Sequence, residues 1–117
     1  MTPKGLIVFS FTERFEEMRR FYEAALGVSG RGGDPNWVEF DLGPSKIALH
    51  RQVTDRPQPL TEYHLDVRVD DIEDATRRFV NAGATVVRGI QDEAFGKSAV
   101  VRDLEGRMIT LVQEDPH

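Results

Sequence analysis

The chain contains no cysteine. That excludes disulfides, thiolate metal centres and a cysteine nucleophile. It has no apolar run near the roughly 18–20 residues that span a bilayer. Its opening, Met1-Thr2-Pro3-Lys4-Gly5, lacks a signal-peptide pattern. These absences lead us to expect a cytoplasmic protein with no membrane partner. Basic charge is also short: 15 Lys and Arg stand against 20 Asp and Glu, a net charge of −5. A nucleic-acid partner is therefore not expected, because such binding needs a basic footprint to displace counterions. Arg14, Arg19 and Arg20 are interleaved with Glu13, Glu16, Glu17 and Glu23, the pattern of a solvated helix face. The glycines of residues 27–33 lack nucleotide-binding spacing, since Pro35 stands where the third glycine belongs. Ser10, Ser45 and Ser98 lie in no nucleophile-elbow context.

What is present fits one domain of 117 residues. Residues 6–11 form a short β-favouring run. Thr12 is a candidate helix cap, with Phe15, Met18, Tyr22 and Ala25 as the buried stripe and Gly27 as the stop. Residues 29–36 read as a loop. Residues 37–42 and 46–50 read as two strands of a hairpin broken at Gly43-Pro44. Residues 53–61, with Pro57 and Pro59, are the linker candidate. The pattern then restarts with a strand over 63–69 and a capping box from Asp70 to Glu73. A helix stripe follows (Ile72, Ala75, Phe79, Ala82), stopped at Gly83. Residues 85–87 are expected as a strand and 91–97 as a loop. Residues 98–102 and 108–113 are expected as strands joined by a turn at 103–106.

The order is thus β-α-β-β, linker, β-α-β-β-β. Arg19-Arg20-Phe21 recurs as Arg77-Arg78-Phe79 in the matching element, which points to two copies of one unit. The expected fold is α+β: two βαβββ modules, about 4–52 and 62–114, with mixed sheets enclosing a cleft within a single domain. Strand alternation assigns faces. Ile7, Phe9 and Phe11 turn away from the first helix, as do His64, Asp66 and Arg68, and Met108, Thr110 and Val112, from the second. Ala48 and His50 share one face of their strand.

Several motifs in this order resemble the vicinal-oxygen-chelate superfamily of glyoxalases, bleomycin-resistance proteins and dioxygenases. The first helix ends Phe21-Tyr22-Glu23-Ala24-Ala25-Leu26-Gly27, similar to that family's FYxxxLG signature. A His-bearing strand opens the second half, and Phe95-Gly96 precedes the last hairpin. Asp103-Leu104-Glu105-Gly106-Arg107-Met108-Ile109-Thr110-Leu111 resembles the family's DPDGxxxEL hairpin. It departs at Leu104, Glu105 and Thr110. By that resemblance the metal-ligand positions are Ile7, Ala48, His64 and Thr110, of which only His64 is a competent ligand. The resemblance therefore implies a member that uses no metal cofactor, of the kind that sequesters antibiotics or metabolites, and a homodimer.

The expected ligand site comprises Phe9, Phe11, His50, His64, Arg68, Met108 and Thr110. Aromatic and apolar walls would bury a small molecule with an aromatic or apolar part, and His64 with Arg68 would orient its polar group. Trp37 is a further aromatic candidate, but Glu39 and Asp41 on its face suggest exposure or a subunit contact. The alternative is an enzyme: a lyase, isomerase or dioxygenase. His64 would serve it as general base, or His50, His64 and Asp66 as a non-standard metal set.

Overall fold

A computed structural model describes residues 1–32 and 34–116. Gly33, within the glycine-rich segment, and His117 lie outside the described residues. Among the described residues there are seven strands and two helices, in the order β1 (Pro3–Thr12), α1 (Phe15–Leu26), β2 (Trp37–Leu42), β3 (Ser45–Arg51), β4 (His64–Val69), α2 (Ile72–Asn81), β5 (Thr85–Glu93), β6 (Gly96–Arg102) and β7 (Met108–Glu114). Parallel and antiparallel pairings mix, which gives the expected α+β class. No described helix is long and apolar enough to cross a membrane.

The chain divides into two compact units, Ile7–His64 and Met1–Leu6 with Leu65–His117. In the N-terminal unit the strand order is β2-β3-β1, with β3 antiparallel to β2 and parallel to β1. Phe15, Val38, Phe40 and Leu49 form its core, with Met18, Tyr22 and Leu26 packed against it. In the C-terminal unit the order is β4-β7-β6-β5, with β4 and β7 parallel and the remainder antiparallel. Its core is Val69, Ile72, Ala75, Ala99, Val101 and Leu111. Burying a side chain such as Phe40 or Leu111, each 0% exposed, contributes about 2–3 kcal/mol.

Local chemistry moves several boundaries from their expected places. β1 starts at Pro3, because residues 1–6 belong to the C-terminal unit, where the Thr2 N–H donates to Asp70 at 2.7 Å. Asp70 is thereby taken from its expected capping role. Asp71 caps α2 instead, accepting the Asp74 N–H at 3.1 Å. Thr12 does not cap α1: its hydroxyl accepts the Arg14 N–H at 3.0 Å in a turn before the helix. Gly27 stops α1 as expected, with φ of 71° and its N–H on the Glu23 carbonyl. Leu26, not the exposed Ala25, completes the α1 stripe.

The tripeptide repeat is out of step with packing. Phe79 packs on its core, whereas Phe21 is 59% exposed and its neighbour Tyr22 packs on Phe40. β5 runs to Glu93 and β6 begins at Gly96, so most of the expected loop at 91–97 is a tight hairpin. Register shifts near Arg88 hide the alternation of β5 in the sequence. Gly96 has a steric reason: a Cβ there would lie 2.0 Å from the Gln113 carbonyl oxygen.

Candidate functional site

In the N-terminal unit, strand pairing aligns side chains in rows across β1, β3 and β2. Phe11, His50 and Trp37 make one row, Phe9, Ala48 and Glu39 the next, and Ile7, Lys46 and Asp41 the third. These rows lie on the face away from α1, since Val38, Phe40 and Leu49 of the opposite parity form the helix-side core. The assignment of Phe9, Phe11, Ala48 and His50 to one face therefore holds.

The small Ala48 lets large rings meet above it. The Phe9 centroid is 5.2 Å from Trp37 and 5.8 Å from Phe11. His64, the first residue of β4, stacks on Phe9 at 4.9 Å with planes 21° apart and meets Phe11 edge-on at 5.3 Å. His50 lies 4.9 Å from Phe11 and 6.0 Å from Trp37. Trp37 is thus a wall of this aromatic face. Both acids on its face, Glu39 and Asp41, are neutralised locally. Glu39 accepts the Trp37 indole N–H at 2.9 Å and Lys46 at 2.8 Å, and Asp41 pairs with Arg31 at 2.8 Å.

The two imidazoles differ. His50 Nδ1 lies 2.6 Å from the Arg51 carbonyl oxygen, an acceptor only, so Nδ1 is the donor of that bond. His64 Nε2 is buried and, among the described residues, has no hydrogen-bond partner. A buried polar atom without a partner costs about 1–3 kcal/mol, an energy that a bound group would return.

In the C-terminal unit, pairing places Asp66 beside Thr110 and Arg68 beside Val112. Leu65, Val67, Ile109 and Leu111 have the opposite parity, and Val67, Ile109 and Leu111 pack with the α2 core. The expected face for Arg68, Met108 and Thr110 is therefore present. Arg68, however, is ion-paired with Glu114, and Met108 is 51% exposed. On β5 and β6 a polar chain runs from Arg88 to the Ser98 hydroxyl (2.8 Å) and from that hydroxyl to Glu93 (2.8 Å). The Gln91 amide and then the Ser98 hydroxyl hold the Glu93 carboxyl below its ordinary range. This chain had no motif to announce it, because β5 is irregular.

Each unit carries a hollow among its described residues. One of about 250 Å³ lies beside α1 in the N-terminal unit, with Phe11 shared between it and the aromatic face. One of about 170 Å³ is lined by Lys4, Arg68, Val69 and Glu114 among others in the C-terminal unit.

The positions that the resemblance assigns to metal ligands do not fit a divalent cation. Ile7 is 6% exposed and Ala48 0%, and neither carries a donor atom. Thr110 offers only a hydroxyl, which leaves His64 as the one imidazole among the four positions. Among the described residues no three His, Asp or Glu side chains are grouped to hold an ion, so the alternative set of His50, His64 and Asp66 has no support.

Solved structures share this fold. The chain is similar to a hypothetical protein from Bacillus halodurans (15% identity, TM-score 0.77, covering 95% of this chain and 94% of that one). It is also similar to a glyoxalase/bleomycin resistance protein/dioxygenase superfamily member from Vibrio splendidus (18%, 0.71, 97% and 100%). A third is methylmalonyl-CoA epimerase from Mycobacterium tuberculosis (16%, 0.67, 97% and 88%). At these identities the likeness defines the fold class, that of the glyoxalase/bleomycin-resistance proteins. The chain belongs to the glyoxalase-like domain family, whose model matches residues 7–112. No curated protein matches the sequence.

Proposed function

We propose that the protein is a metal-independent small-molecule binder of the glyoxalase/bleomycin-resistance type, acting in the cytoplasm as a homodimer and sequestering a flat, partly aromatic antibiotic or metabolite. The carrying observation is the buried, unpartnered Nε2 of His64 set among the rings of Phe9 and Phe11. Such a face supplies apolar burial and one directional polar contact, the usual composition of a ligand site. His50 and Trp37 extend the wall.

Trp37 is the only tryptophan, and it touches Phe9, so its fluorescence tests the proposal. Titration with flat aromatic compounds should quench it and raise the melting temperature, and Phe9→Ala should abolish both effects. Absence of either response across a broad panel overturns the binder reading. Protein purified without chelators should contain less than stoichiometric metal. One metal per chain, lost in His64→Ala, overturns metal independence.

The same nitrogen supports a second reading, in which His64 acts as general base on a bound substrate. His64→Gln would then abolish turnover while leaving Trp37 quenching in place.

A further inference from the structure

We propose that the hollow beside α1 is a second small-molecule site, built to take an arylalkyl ammonium ion: one aromatic ring, a short carbon chain and one positive charge. Its volume is about 250 Å³. A cavity of roughly 150 Å³ holds benzene, so a ring with a short chain fits. Phe11, Met18 and Tyr22 form one wall, and Leu60 and Tyr63 the other. Leu60 is 46% exposed and Tyr63 67%, so this wall leaves apolar surface for a ligand to cover. The segment leading to it is held in shape. The Gln52 side chain donates to the Gln58 carbonyl at 2.7 Å and accepts the Gln58 N–H at 2.9 Å.

Charge selects the ligand's sign. Glu13 and Arg14 line the rim. Arg14 is bound to Glu17 through Nε at 3.1 Å and through a second nitrogen, whereas Glu13 has no ion pair among the described residues. One negative charge is therefore in excess where the ligand enters. Aromatic rings attract a cation placed over them, and Phe11, Tyr22 and Tyr63 all line the hollow. Burial, and then Tyr63, push the Tyr22 phenol above its ordinary pKa, so it stays an uncharged hydroxyl at neutral pH. The hollow borders the start of α1 at Thr12, Glu13 and Arg14 and runs on past Met18 and Tyr22, so the Glu13 carboxylate has to outweigh the attraction of that helix end for anions.

The test is a carbon-13 methyl NMR titration of the whole protein, following Met18 and Leu60, with 2-phenylethylammonium, 2-phenylethanol and 3-phenylpropionate as probes. Saturable shifts are expected for the ammonium, roughly five-fold tighter than for the alcohol and tighter still than for the carboxylate. Glu13→Gln should weaken the ammonium by about three- to ten-fold and erase its advantage over the alcohol. Tyr63→Ala should weaken both, and the ammonium more than the alcohol. Glu13 and Tyr63 are exposed, and an unchanged spectrum elsewhere confirms folding of each variant. Trp37→Phe, which alters the His64 face, should leave binding here unchanged. Equal binding of carboxylate and ammonium, indifference to Glu13→Gln, or no saturable shift up to about 20 mM overturns the proposal.

Discussion

The two units carry the same kind of scaffold, strands with one helix, yet their helix-free faces are opposite in character. In the unit of residues 7–64 that face is aromatic around the unpartnered nitrogen of His64. In the unit that includes residues 65–117 the corresponding face is polar, and its charges are largely committed. Arg68 is bound to Glu114, and Arg88 to Ser98, which in turn holds Glu93. A face of satisfied polar groups gains little by binding, because each new contact replaces an existing one. A face with a buried atom left unpartnered gains from any group that completes it. On the reading proposed above, the binding chemistry belongs to the first unit.

The comparison is broken most severely through the scaffold. Phe40→Ala, at a fully buried position behind the aromatic face, should cost about 3–5 kcal/mol in urea denaturation and abolish ligand-induced quenching of Trp37. A loss below about 1 kcal/mol would mean that the core behind that face is not tightly packed.

His64→Leu sharpens the contrast. Replacing the unpartnered ring nitrogen by apolar atoms should leave stability unchanged or raise it by about 1 kcal/mol, while ligand binding is lost. A drop of several kcal/mol would show that His64 is a satisfied structural residue. Of similar size but opposite sign, Asp71→Ala removes the α2 cap and should cost about 1 kcal/mol without changing Trp37 quenching.

The smallest effect is on pH dependence. The folded Glu93 pKa is lowered by the Gln91 amide and the Ser98 hydroxyl. A depressed folded pKa means that the unfolded state binds the proton more readily. The stabilisation is therefore present above the unfolded value, near 4.3, and fades as pH falls through the lower folded one. Glu93→Gln should flatten the stability profile below about pH 4.5 and leave it unchanged at pH 7 apart from a constant offset. An identical acid slope in the variant would remove Glu93 from the polar chain.

Legibility followed local chemistry. The β2–β3 hairpin, the helix stripes apart from the exposed Ala25 and Ala82, and the Gly27 stop were readable because each rests on residues close in sequence. The aromatic face was readable as far as parity goes: Phe9, Phe11 and His50 were placed together by alternation alone. The neutralisation of Glu39 beside Trp37 was not readable, because its bond from Lys46 crosses to another strand. The cap of α2 shifted by one residue because Thr2, far away in the chain, claims Asp70. The length of β5 was hidden by its register shifts, and with it the chain from Arg88 to Glu93.

By itself, the sequence determined the element order, the side of each strand that its helix covers, and the poverty of metal donors at Ile7, Ala48 and Thr110. Those features depend on periodicity and residue type, which are written one position at a time. Only the tertiary structure decided that His64 Nε2 is left without a partner, that Arg68 is taken by Glu114, and that residues 60–63 close a hollow against α1. Those depend on which groups meet across tens of residues, and a hydrogen bond or cavity exists only when both of its sides are in place.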